Sequence, residues 1–236
     1  MEYIRRIIDD EIDLKVSAFN AINIVGPKGC GKTRTAKERC KTAIEFQDEE
    51  KRDGYMAIAE TSPSLFLKTQ KPILFDECDT IFAKRSDDGG SNQASANNKT
   101  ALLLQEMEAY DGVCVLATNY KHNIDPAFFR RMKYIVEFQF PNVDTREMLW
   151  KTTIPKGTPL ADDVDIRFLA EKFEFAGGNI KNCILNAAFL AAADPEAGGQ
   201  NHMKHYLNAI KYEFVKVGKV FTKADFEPYA EEVGLA

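Results

Sequence analysis

The residues with chemical potential fall into a few short stretches. Gly26-Pro27-Lys28-Gly29-Cys30-Gly31-Lys32-Thr33 fits GxxxxGK[ST] at every fixed position, and Arg34 follows directly. Glycines let successive backbone N–H groups converge on phosphate oxygens with no Cβ in the way. A lysine at this spacing reaches β and γ phosphates, and the neighbouring hydroxyl can ligate Mg2+. The nine residues from Gly26 to Arg34 are therefore the candidate nucleotide-binding set. Ile73-Leu74-Phe75-Asp76-Glu77 is an apolar run ending in two carboxylates. Asp76 suits a metal shared with Thr33, and Glu77 suits the orienting and polarising of an attacking water. Val113–Thr118 also runs apolar and ends at Asn119, whose amide can bond a terminal phosphate or that water.

Two weaker signals follow. Asp125-Pro126-Ala127-Phe128-Phe129-Arg130-Arg131-Met132-Lys133 is a turn followed by clustered cations. A guanidinium such as that of Arg130 is planar, always charged and suited to charge on a transferring phosphoryl group. Gly177-Gly178-Asn179-Ile180-Lys181 opens a helix from which Lys181 can reach back to phosphate. Taken singly, Asn119 and these two signals each have a plain reading: a turn-favouring Asn, a solvated basic surface, an ordinary first-turn lysine.

These groups need elements to hold them. Ile4, Ile7, Ile8, Ile12 and Val16 recur at helical spacing and predict an amphipathic helix over 2–19. Ala21–Val25 is short and β-branched and runs into Gly26-Pro27, so the loop leaves a buried strand and opens a helix over 32–41. Residues 44–46 read as extended and 48–60 as helical. Further buried strands are expected at 73–77, 113–118 and 134–138, with a helix over 100–110 before the third. Ser86–Asn98 is the most loop-like stretch, rich in Gly, Ser and Asn. Beyond Pro141 the strand signal ends, and helical patterns follow at 145–153, 165–173, 179–193 and 203–217. The change of character near residue 140 predicts two domains, an α/β domain at 1–140 and a helical one at 141–236.

Composition sets the outer bounds. The 236 residues are 28% charged and 44% hydrophobic, an ordinary globular balance. Lys and Arg total 31 against 36 Asp and Glu, a net charge of −5 that argues against a dedicated nucleic-acid binder. The five cysteines, at 30, 40, 78, 114 and 183, are odd in number, widely spaced and free of any CxxC pair. That predicts free thiols in a reducing cytoplasm rather than disulfides or zinc. No apolar run approaches the roughly 20 residues of a membrane span, and the N-terminus does not read as a signal peptide.

Taken in order, GPKGCGKT, ILFDE, ATN, DPAFFRR and GGNIK resemble the signature of the AAA+ ATPases. The resemblance implies an α/β P-loop NTPase sandwich with a parallel sheet, followed by a small all-helical lid domain. It assigns Gly26–Thr33 to Walker A, Asp76 and Glu77 to Walker B and Asn119 to sensor 1. It assigns Arg130 to the arginine finger, with Arg131 or Lys133 as a second cation, and Lys181 to sensor 2. It implies ATP and Mg2+ as cofactors, and self-association into a ring or at least a head-to-tail oligomer, with a hexamer expected, because such a finger acts in trans. From about Leu74 to Lys219 the likeness is to a bacterial AAA branch. From about Tyr3 to Asp76 it is to bacterial P-loop ATPases whose own second half is a nuclease-like domain of unknown function. The two meet at Walker B, the pattern of a chimeric chain. The aromatic–hydrophobic–Gly pore tripeptide of unfoldases is missing, and Tyr55-Met56-Ala57 comes nearest. The stretch before the first strand is short for the usual adenine-binding segment. Alternatives are an ATP-binding switch or scaffold with little turnover, and a DNA-associated ATPase using a basic face at Arg34, Lys37, Arg39 and Lys41.

Overall fold

The computed structural model describes residues 3–81, 102–119 and 134–234. The chain divides into two compact units, Met1–Gln139 and Phe140–Ala236.

The first unit is built on a five-stranded, wholly parallel sheet in the order β2-β3-β4-β1-β5: β1 Ala21–Val25, β2 Thr42–Glu45, β3 Ile73–Asp76, β4 Cys114–Thr118 and β5 Tyr134–Glu137. Every residue of β3 and β4 is buried, as expected of central parallel strands covered on both faces. Successive side chains alternate between two clusters. Ile22, Ile24, Leu74, Val115 and Val136 pack with Ile12 of α1 (Asp9–Ala18) and Ala36 of α2 (Lys32–Lys37). Ile44, Ile73, Phe75 and Leu116 pack on the other face with Ala59 of α3 (Glu49–Thr61), Phe66 of α4 (Ser64–Leu67) and Leu103 and Met107 of α5 (102–109).

Three elements differ in their bounds from the sequence reading, one of them the helix expected over 32–41, which ends at Lys37. The N-terminal helix begins only at Asp9, and residues 3–6 are irregular although their apolar spacing is helical. Long-range bonds from Tyr3 and Arg6 hold this segment elsewhere, so tertiary contacts override the local pattern. The extended stretch at 44–46 is a genuine sheet member, β2, pairing Thr42–Glu45 with Ile73–Asp76. Tyr55-Met56-Ala57 lies within α3. The Tyr55 ring packs edge-on against Phe46 and Phe66, at centroid distances of 5.9 and 6.1 Å.

The second unit is helical: α6 Val143–Thr153, α7 Ile166–Lys172, α8 Gly177–Ala193 and α9 Met203–Lys216, followed by two 3-10 turns. Gly177-Gly178, which the sequence places at the opening of a helix, forms the first turn of α8. Trp150, Phe173, Tyr206, Phe214 and Phe226 fill the core. The buried Glu213 accepts bonds from Asn179 (2.9 Å) and Asn182 (3.2 Å), tying the start of α8 to α9. Among the described residues, no helix is long and apolar enough to cross a membrane. All five cysteines are free thiols.

Candidate functional site

Sheet register brings three strand tips together. Val25 pairs with Thr118, and Asp76 pairs with Ala117. The residues just beyond β1, β3 and β4 therefore emerge side by side at the carboxyl edge of the sheet, where ligands of open α/β sheets bind.

The loop after β1 needs its glycines for identifiable reasons. Gly26 has φ +151°, and a Cβ there would lie 2.6 Å from the Phe138 carbonyl oxygen. Gly31 has φ +95°, and a Cβ would collide with the Arg6 guanidinium. Arg6 donates to the Cys30 carbonyl (3.2 Å) and to Thr35 Oγ1 (3.1 Å). Tyr3 Oη donates to Asp9, and Asp9 also accepts the Arg6 backbone N–H and pairs with Arg39. The segment before β1 is thus bonded onto the loop and the start of α2.

Lys32 is only 5% exposed. Its Nζ donates to the carbonyls of Gly26 (2.7 Å) and Pro27 (2.9 Å) and to Asn119 Oδ1 (2.8 Å). Burial lowers its pKa, against the opposing pull of Cys30, Asp76 and Asp79. Thr33 Oγ1 donates to Asp76 Oδ1 at 3.0 Å. Burial pushes the Asp76 carboxyl up, with the Thr33 bond acting in the opposite direction. Glu77 is also raised, first by burial and then by the negative charges of Asp76 and Asp79. Glu77 has φ 53°, the one positive φ among the described non-glycine residues, and this left-handed conformation turns the chain sharply at the end of β3. Asn119 joins the two sides. Its Oδ1 accepts from Lys32, while its Nδ2 donates to Glu77 Oε1 at 3.3 Å.

The structure therefore brings together the loop Gly26–Thr33, Asp76, Glu77 and Asn119. Arg34 lies on the exposed side of α2, ion-paired with Glu38 at 2.7 Å. Arg130, Arg131, Lys133 and the loop 86–98 lie outside the described residues. Lys181 is exposed in the first turn of α8, in the other unit. Sequence reasoning missed Arg6, which no local pattern marks. It also missed Asp79, whose Oδ1 accepts from Thr118 Oγ1 at 2.6 Å. The fourth residue of Asp76-Glu77-Cys78-Asp79 was the available signal for it. The cations proposed as a basic face are largely engaged: Lys37 pairs with Glu45, and Arg39 with Asp9 and Asp13.

The oxygen set suits a hard cation. A hydroxyl and a carboxylate 3.0 Å apart are typical protein ligands of Mg2+, which takes its remaining ligands from phosphates and water. Among the described residues, no three His, Cys, Asp or Glu side chains converge on a common metal position, so no all-protein cage competes with that arrangement.

Comparison with known proteins agrees with this geometry. Residues 22–140 match the model of the family described as "ATPase family associated with various cellular activities (AAA)". The match runs through Leu74–Asp76, where the two resemblances meet. The chain is 31% identical over 194 residues to the katanin p60 ATPase-containing subunit A1 of Strongylocentrotus purpuratus, covering 73% of this chain and 37% of that protein. It is 29% identical over 216 residues to the proteasome-activating nucleotidase of Saccharolobus islandicus, covering 84% and 54%. It is 27% identical over 216 residues to the cell division control protein 48 homolog B of Arabidopsis thaliana, covering 84% and 36%. The chain thus spans between about a third and a half of the length of these relatives.

Proposed function

The chain belongs to the AAA family of ATPases, P-loop NTPases that use ATP with Mg2+, and we propose that residues 1–140 bind and hydrolyse MgATP while residues 141–236 form a lid. The observation that carries this reading is the bonded series Lys32–Asn119–Glu77, which links the phosphate-binding lysine to the water-activating carboxylate through one amide.

In this reading the loop N–H groups receive the phosphates, and Lys32 exchanges its bonds to Gly26 and Pro27 for phosphate oxygens. Thr33 and Asp76 hold the metal. When bound, Mg2+ neutralises charge on the phosphates and fixes their orientation. Glu77 orients the attacking water and accepts its proton as the new P–O bond forms and the bond to the ADP oxygen breaks. A carboxylate raised by burial is the better base for that transfer. Asn119 holds Glu77 and the water in line. Arg130, supplied by a neighbouring subunit, stabilises charge on the transferring phosphoryl group. Lys181 acts as sensor 2 from the lid. The assembly is a head-to-tail ring, a hexamer, that remodels a protein partner. The relatives named for ATPase or nucleotidase function support the hydrolytic part of this reading.

The deciding measurement is ATP turnover against protein concentration with Mg2+ present, wild type beside Glu77→Gln. Specific activity should rise with concentration and vanish in the variant while ATP binding persists. Flat turnover near zero despite ATP binding would reject hydrolysis by a shared site. Arg130→Ala should keep ATP binding and lower assembled activity by about 10³. Full activity of Arg130→Ala would reject the trans role.

A further inference from the structure

The turn that presents Glu77 is anchored on both sides. After β3 the chain passes through the left-handed Glu77 into a 3-10 turn, Cys78–Thr80, closed by Thr80 N–H donating to the Glu77 carbonyl at 3.0 Å. Cys78 is wholly buried among the apolar side chains beneath the sheet. Asp79 accepts the 2.6 Å bond from the hydroxyl of Thr118, itself 1% exposed, at the tip of β4. The next residue on β4 is Asn119, which donates to Glu77. Two links therefore run from the turn after β3 to consecutive positions at the end of β4, Asp79 to Thr118 and Glu77 to Asn119. The first, at 2.6 Å, is short and joins a half-buried Asp79 to a buried Thr118; the second, at 3.3 Å, is long and contains the reacting group.

We propose that Asp79 is a positioning residue: by accepting from Thr118 it holds the turn after β3 against the tip of β4, and so keeps the Glu77 carboxylate facing the Asn119 amide. The inference rests on the reading of Glu77 and Asn119 as the hydrolytic pair. In this reading Asp79 acts through the turn that carries Glu77 and not on the nucleotide itself. Its effect is on how often Glu77 is in line, which appears in turnover rather than in ATP affinity.

The test compares kcat, ATP dissociation constant and thermal midpoint for Asp79→Ala, Asp79→Asn, Thr118→Val and Thr118→Ser, with Glu77→Gln as reference. Asp79→Ala and Thr118→Val should each lower kcat by about tenfold or more, with ATP affinity within about twofold of wild type. Asp79→Asn and Thr118→Ser keep an acceptor and a donor, and should retain kcat within about threefold. The double variant Asp79→Ala with Thr118→Val should be no worse than the weaker single, because both remove one bond. If Asp79→Ala fails to fold, the near-isosteric Thr118→Val carries the test. Unchanged kcat in Thr118→Val, or losses of kcat matched by equal losses of affinity and midpoint, would overturn the inference. Wild-type turnover lost in Glu77→Gln but intact in Asp79→Ala overturns the inference alone. Turnover unaffected in Glu77→Gln, or absent from wild type, overturns the reading beneath it and the inference with it.

Discussion

Lys32 in the α/β unit and Arg146 in the helical unit are both 5% exposed, and both meet the cost of burial with backbone carbonyls. Their partners differ. Lys32 bonds to Gly26 and Pro27, carbonyls of the loop it belongs to, and to the Asn119 side chain. Arg146 bonds at 2.7 Å to Ala170 in the last turn of α7 and at 2.7 Å to Pro141, joining separate parts of its unit. A lysine ammonium can turn its three donors toward a better acceptor. A guanidinium with divergent donors in a fixed fork cannot. Burial weakens the proton affinity of Lys32, so its charge is sustained by replaceable partners. Arg146 satisfies a carbonyl that the end of α7 would otherwise leave unpaired, and with it the Pro141 carbonyl ahead of α6. Similar burial thus marks a group held ready in one unit and a fastening in the other.

Removing each group should separate the two roles. The largest effect is expected for Lys32→Ala, which should weaken ATP by about 100-fold or more through loss of charged hydrogen bonds, with the fold intact by circular dichroism. Unchanged affinity by calorimetric titration would place Lys32 beside Arg146 as a structural cation. Next, Arg146→Ala should destabilise the helical unit by about 2–3 kcal/mol, since two buried carbonyls lose their donors. Urea unfolding read at Trp150 reports this, and a shift under 0.5 kcal/mol would end the contrast. The smallest effect has the opposite sign. Glu77→Gly should stabilise the first unit by about 0.5–1 kcal/mol, because glycine accepts φ 53° without strain, while turnover is lost. A destabilised Glu77→Gly would mean that the side chain, and not the backbone, governs that turn.

The parts of this site that were legible in the sequence are those whose chemistry is local. The glycine spacing of 26–31 and the apolar runs ending at Asp76 and Asn119 each announce a strand and what it presents. Buried parallel strands read as continuous apolar runs, so β1, β3 and β4 were visible. By contrast β2 was read only as an extended stretch at 44–46, because it is a short edge strand with one fully buried residue and Thr-Ala-Ile-Glu carries little pattern. The irregular start at Tyr3–Arg6 was not legible because bonds to residues about 30 positions away decide it. The Asp79–Thr118 bond spans 39 residues, and only the sheet register shows that the two groups meet.

The bonds from Tyr3 and Arg6 to Thr35, Asp9 and the Cys30 carbonyl have a mechanical meaning. Tension applied along the chain at residue 3 would not peel away an idle strap. It would pass through the Arg6 guanidinium into the loop backbone at Cys30, beside a glycine that leaves no room for slack, and through the Tyr3 hydroxyl to Thr35 on α2. The segment and the loop are coupled in series, so a load on one is felt at the other within two side chains.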